Sequence, residues 1–182
     1  MQDVIHRAQH ADQEAFRLLV EAYQPLVAKT AHVLLSDRDM IDDATQDIWL
    51  DVWRGLHNFR VDAPFRPWLL KVVANRCRML LRQKRPVTTS LDAVPLSALP
   101  RSDDVLWLAI QRETATELLA AIKTLSLNHQ RVLALHYYAG LDISEIATVL
   151  GIPLGTTKSR LHRAIETIRT TQRTHQRSEE LR

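Results

Sequence analysis

Apolar residues recur at three- and four-residue steps through most of the chain, and the rhythm breaks at a few well-marked places. Between residues 12 and 35, Phe16, Leu19, Val20, Tyr23, Leu26, Val27 and Val33 share one face of a helix. Pro25 falls inside that stretch, where a proline removes a backbone hydrogen bond, so a kink or a split is expected. A second helix is predicted over Asp39 to Phe59. Ile41, Ala44, Ile48, Val52 and Leu56 form its stripe, Trp49 and Trp53 lie beside it, and Gly55 loosens its last turn. "RVDAP" interrupts the pattern before a third helix, from about Phe65 to Arg85, with Trp68, Leu69, Val72, Val73, Leu80 and Leu81 on its apolar side.

The rhythm then stops. "PVTTSLDAVPLSALPRSDD", 86 to 104, holds three prolines and no sustained period, which predicts an extended linker without a packed core. Helical spacing resumes from Val105 through Leu108, Ala115, Leu118, Leu119, Ile122 and Leu125, and "NHQRVLALHYYAG" reads as a short helix closed by Gly140. Asp142 and Glu145 have the spacing of a capping box that opens "ISEIATVL". Gly151 stops that helix, Pro153 prevents its continuation, and a last helix is predicted from about Leu154 to Ile168. The expectation is an all-α protein of two small helical domains, 10–85 and 105–170, joined by the linker 86–104 and followed by a disordered tail, 171–182.

Composition supports helices and narrows the class. The 182 residues are 46% apolar with only four glycines, too apolar for a disordered chain and too poor in glycine for a turn-rich sheet protein. Lysine plus arginine (24) barely exceed aspartate plus glutamate (21), so distribution matters more than the net charge of +3. Asp37, Asp39, Asp42, Asp43, Asp47 and Asp51 crowd one stretch against Arg38 alone. Arg66, Lys71, Arg76, Arg78, Arg82, Lys84 and Arg85 crowd the next with no acid among them. A second basic run, Lys158 to Arg177, is interrupted only by Glu166. One acidic and two basic surfaces imply more than one kind of partner.

The glycine-stopped helix, the tight "GIPLG" connection and the basic helix after it form a helix-turn-helix candidate. Ile146, Ala147 and Leu150 are expected to pack the first helix on the second, whose inward stripe is Thr157, Leu161, Ala164 or Ile165, and Ile168. Lys158, Ser159, His162 and Arg163 then turn outward, with Arg160 further round and Thr156 near the N-terminus, a set suited to a major groove. "GIPLGTTKS" fails the spacing of a phosphate-binding P-loop.

"DDATQDIWLDVWRGLHNF" and "FRPWLLKVVANRCRMLLRQKR" together resemble region 2 of the bacterial extracytoplasmic-function (ECF) sigma factors of the sigma-70 family, and "DISEIATVLGIPLGTTKSRLHRA" resembles their region 4. The resemblance extends over about residues 10 to 170. It implies a subunit that binds core RNA polymerase at its clamp helices and flap, directs it to promoters and promotes melting. Asp42, Asp43, Gln46 and Asp47 would dock on polymerase. Asn75, Arg76, Arg78, Arg82, Lys84 and Arg85 would face the minus-10 element, Asn75 at the pocket for a flipped base. Thr156, Lys158, Ser159, Arg160, His162 and Arg163 would face the minus-35 element. An anti-sigma factor is a further implied partner. Asp51, Met79, Thr157 and Ile165 depart from residues frequent in the family. A stand-alone helix-turn-helix regulator would share the second half of the pattern but not the acidic-then-basic pair of helices.

Other features point to ordinary structural roles. The aromatic residues from Trp49 to Trp68 mostly read as core, and Cys77 as a small packing residue. A single cysteine excludes an internal disulfide and suits a reducing compartment. No signal-peptide core and no long apolar span occur, so a cytoplasmic protein without direct membrane insertion is expected. Eight histidines are scattered without a ligand cluster, and no nucleophile–base constellation is visible, so no metal, no cofactor and no enzymatic activity are expected.

Overall fold

The computed structural model describes residues 1–35, 38–83 and 121–179. Seven named helices run in chain order: α1 (Gln2–Gln9), α2 (Gln13–Leu35), α3 (Arg38–Leu56), α4 (Phe65–Gln83), α5 (Leu127–Tyr137), α6 (Ile143–Leu150) and α7 (Leu154–Glu179). Among the described residues there is no strand. The expected linker 86–104, the helical pattern from Val105 to Leu119, and the side chains of Lys84 and Arg85 lie outside the described residues.

The first module packs α1 to α4 around Leu19, Val27, Ile48, Val52, Leu56, Leu69, Leu70 and Val73, all essentially removed from water. The short α1 is not marked by the apolar rhythm of 12–35. It buries only Ile5 and Ala8, and Gln9 reaches from its end to donate to the carbonyls of Leu56 (2.9 Å) and Phe59 (2.6 Å), closing the C-terminus of α3. α2 continues through Pro25 without splitting. Glu21 and Pro25 are both on the exposed side, so the carbonyl deprived of a partner lies toward water. Gly55 answers a packing need: a Cβ there would stand 3.2 Å from the Trp68 ring. That ring joins Phe59 and Phe65 in a cluster with centroids 5.1 to 5.5 Å apart.

The second module is built on α5, α6 and α7, with the helical end at 121–124 laid against α5. Gln130, buried, donates to the carbonyls of Ile122 (3.0 Å) and Leu125 (2.8 Å), satisfying that end. Val149, with Ile146, supplies the buried face of α6, whereas Ala147 and Leu150 are only half-buried. α7 extends past Ile168 and Thr170 to Glu179. No glycine or proline follows Gly155 to stop it, and Thr167, Thr170 and Thr171 each donate their hydroxyl to the carbonyl four residues back, which a helix tolerates.

The modules meet along a seam in which α2 and α4 face α5 and α6. Arg66 of α4 grips Glu145 of α6, and Lys29 of α2 sits 5.3 Å from the Tyr138 ring centroid.

Candidate nucleic-acid and polymerase interfaces

The basic helix α7 is held by local chemistry of known type. Asp142 accepts from the Glu145 backbone N–H at 2.8 Å and Glu145 accepts from the Asp142 N–H at 3.0 Å, a complete capping box. That backbone bond holds the Asp142 carboxyl below its ordinary range. Gly151 ends α6 at φ 68°, a left-handed conformation that disfavours any side chain. Thr157 is fully buried; its hydroxyl donates to the Pro153 carbonyl at 3.2 Å while its body fills the turn. Thr157 thus both packs the turn and adds a bond at the first turn of α7.

Leu161 and Ala164 are buried, Ile165 and Ile168 half-buried, as the inward stripe requires. Lys158, Ser159, His162 and Arg163 are exposed; Thr156 and Arg160 are half-buried. Among the described residues neither Lys158 nor Arg163 enters an ion pair, so both cations are open to a ligand. Burial, then the charges of Arg160 and Arg163, lowers the pKa of His129 beneath α7.

On α3, Asp42, Asp43 and Gln46 are exposed, and Asp47 is half-buried with its carboxylate 3.4 Å from Arg76. Gln46 also lines a groove of about 560 Å³ formed with Gln13, Phe16, Val20, Trp49, Leu50 and Trp53. Leu50 is 50% exposed and Trp53 36%, its ring packed edge-on against Phe16. The apolar groove beside the acidic cluster is not among the expectations from sequence, and Trp53, one of the aromatic residues that mostly read as core, lines it. The available signal was position: Gln46, Leu50 and Trp53 stand at i, i+4 and i+7, off the Ile41–Ile48–Val52 stripe.

The third set divides. Asn75 and Arg82 are exposed on α4. Arg76 instead lies across α3, its guanidinium forked onto Asp51 at 2.7 and 2.5 Å, and it is only 16% exposed. Asp51, one of the departures from the family's frequent residues, is therefore the partner of Arg76. Arg78 donates to Asn75 Oδ1 (3.0 Å) and to the Val149 carbonyl of the second module (2.7 Å). Cys77 is buried and its thiol is pushed up to about 12 by desolvation, which leaves it an inert packing residue.

Among the described residues no group of three histidine, cysteine, aspartate or glutamate side chains is placed to hold a metal, and no helix is long and apolar enough to cross a membrane. What the geometry defines is a two-module helical protein with a capped helix-turn-helix in one module and an acidic, groove-bearing helix in the other. Residues 19–87 match Sigma-70 region 2 and residues 115–168 match Sigma-70, region 4, together well over half of the chain and in the family's order. The ECF RNA polymerase sigma-E factor of Escherichia coli (strain K12) is 29% identical over 175 residues, 92% of this chain and 91% of that one. CnrH, solved in complex with the cytosolic domain of CnrY, shares the fold with a TM-score of 0.62 at 23% identity, over 95% of this chain and 97% of its own. The sigma factor RpoE of Bartonella quintana, solved with the anti-sigma factor NepR, gives 0.57 at 19% identity over 87% and 96%. The chain belongs to the sigma-70 family, in its ECF group. It is a promoter-directing sigma factor, a regulatory subunit of RNA polymerase.

Proposed function

We propose that α3 docks on core polymerase through Asp42, Asp43, Gln46 and Asp47 together with the apolar groove that Gln46 shares with Leu50 and Trp53. Charge complementarity speeds encounter and sets register, while the aromatic groove supplies desolvated contact area. α7 reads the minus-35 duplex through Lys158, Ser159, His162 and Arg163, assisted by Thr156 and Arg160. α4 faces the minus-10 strand with Asn75 and Arg82, joined by Arg78, Lys84 and Arg85. Arg76 acts as a positioning residue that holds α4 to α3 through Asp51. A base flipped out of the duplex costs a few kcal/mol, on the order of what stacking and edge hydrogen bonds return, so no nucleotide hydrolysis is needed and the protein is not itself an enzyme. It works in the cytoplasm, with an anti-sigma factor as its antagonist.

The observation that carries this reading is the exposed, unpaired face of α7 set by a capping box and a left-handed glycine. Transcription from a promoter library with core polymerase tests it. Promoter-specific initiation that appears only with this chain is expected, and duplex binding indifferent to polymerase would favour a stand-alone regulator. Reversing Asp42 and Asp43 to lysine is expected to abolish co-elution with core. A pull-down under non-inducing conditions is expected to recover a small partner besides polymerase subunits.

A further inference from the structure

We infer that His6 and His10, at the exposed end of α1, form a two-histidine site for a borderline divalent transition-metal ion such as Zn²⁺ or Cu²⁺. The site stands apart from the DNA and polymerase interfaces, which use neither residue.

Two of the eight histidines are not scattered. They stand four residues apart at the C-terminal end of α1, the helical spacing at which two imidazoles reach a single ion. Both are exposed, and their ring centroids lie 4.6 Å apart. A zinc–nitrogen bond of about 2.0–2.1 Å puts the centroid of a ligand ring about 3.2 Å from the metal. Two such rings at bond angles of about 90–110° are then about 4.5–5.2 Å apart. The pair already has that spacing.

His10 is held as a ligand would be. Its Nδ1 stands 2.8 Å from the His6 carbonyl, which can only accept, so Nδ1 carries the proton and the Nε2 of the neutral ring keeps its lone pair. A backbone carbonyl on the other ring nitrogen is a common outer partner of metal-binding histidines. Among the described residues no hydrogen bond engages His10 Nε2 or the His6 ring.

The backbone favours a cation at this corner. α1 ends in a Schellman turn, the Asp12 N–H donating to the Arg7 carbonyl at 3.3 Å and the Ala11 N–H to the Ala8 carbonyl at 3.2 Å. Ala11 takes φ 62°, where glycine is the common occupant, and it is the only non-glycine residue at positive φ among those described. That turn fixes His10 beside His6 at the negative pole of the helix dipole. Arg7, the neighbouring cation, is offset by the Asp12 carboxylate at 2.8 Å.

No third histidine, cysteine or carboxylate joins the pair among the described residues, so water completes the coordination. Imidazole nitrogens select zinc and copper over magnesium and calcium. α1 buries only Ile5 and Ala8, and Gln9, between the two histidines in sequence, donates to the carbonyls that end α3. An ion across His6 and His10 closes the turn that carries Gln9, so binding steadies α1 on the first module.

Calorimetric titration of the full chain, stripped with a chelator, tests the site, with hydrogen exchange of the α1 amides as a second reading. Zn²⁺ is expected to bind and to raise α1 protection, Cu²⁺ to bind more tightly, and Mg²⁺ and Ca²⁺ to do neither. His6→Gln and His10→Gln, at exposed positions, should each weaken Zn²⁺ binding by at least the about 10- to 100-fold that loss of a ligand's outer partner costs. His57→Gln, exposed just past α3, should leave it unchanged. A third reading needs no variant: the imidazole resonances of His6 and His10 in the unaltered chain should shift together as Zn²⁺ is added. Equal Zn²⁺ affinity in the unaltered chain and in the double His6→Gln, His10→Gln variant, an equal response to Mg²⁺, or shifts confined to other histidines overturns the inference.

Discussion

α4 and α7 are both basic helices of a promoter-binding protein, yet their cations are used differently. On α4, Arg66, Arg76 and Arg78 are engaged by Glu145, by Asp51 and by the Val149 carbonyl. On α7, Lys158 and Arg163 stand exposed, without an ion pair among the described residues. A count of positive charges makes the two helices equivalent. The difference teaches that a basic helix packed between two protein surfaces spends its arginines on orientation, whereas a helix packed on one side keeps them for a ligand.

The comparison can be broken first by removing what presents α7. Ile146 is fully buried where α6 meets α7, and Ile146→Ala is expected to lower stability by about 2–5 kcal/mol. Denaturant unfolding should show this, with duplex binding lost as the second module melts. Arg163→Ala should instead leave the melt nearly unchanged, cost about 1–3 kcal/mol of minus-35 discrimination if the side chain reads a guanine, and reduce the salt slope by about one if it meets a phosphate. Duplex affinities over a salt series separate the two.

The matching substitution on α4 is predicted to behave in the opposite way. Arg76→Ala should destabilise the first module by about 1–2 kcal/mol, because Asp51 loses its forked partner in a half-buried place. Single-stranded DNA binding should scarcely change, while Arg82→Ala should lower it. Equal losses of DNA affinity in both variants would return Arg76 to the DNA-facing set.

The smallest effects are titrations. The pKa of Asp142 is held below 3.8 by the Glu145 N–H, so its contribution is present above that value and is lost as the pH falls through the lower folded value. Asp142→Ala should cost about 1 kcal/mol near neutrality and flatten the acid limb of the stability curve. His129, lowered from 6.5 by burial and by Arg160 and Arg163, prefers to stay neutral when folded. Stability is therefore present above 6.5 and falls as the pH drops through the lower folded value, and His129→Gln should remove that small slope.

Much of the architecture was legible in the chain itself. The stripes on α2, α3, α4 and α7, the capping box at Asp142 and Glu145 and the stop at Gly151 are local patterns, because helix period, caps and left-handed turns are set within a few residues. The outward set on α7 followed from its buried stripe for the same reason. α1 was not legible: eight residues with two buried apolar side chains make too short a pattern, and its place depends on Gln9 meeting the end of α3. The extension of α7 to Glu179 was likewise hidden, since a polar sequence without glycine or proline carries no stripe to announce a helix.

Only the tertiary structure decided which charges meet. Asp51 and Arg76 are 25 residues apart, Arg66 and Glu145 79, and no local rule pairs side chains across such distances. The groove at Leu50 and Trp53 has the same origin, because whether an aromatic residue beside a stripe is covered depends on the helix packed next to it. Sequence settled which faces each helix turns inward, a matter of period. Assembly settled which arginines remain exposed, because a cation pairs with a well-placed oxygen within reach, and the fold determines whose that is.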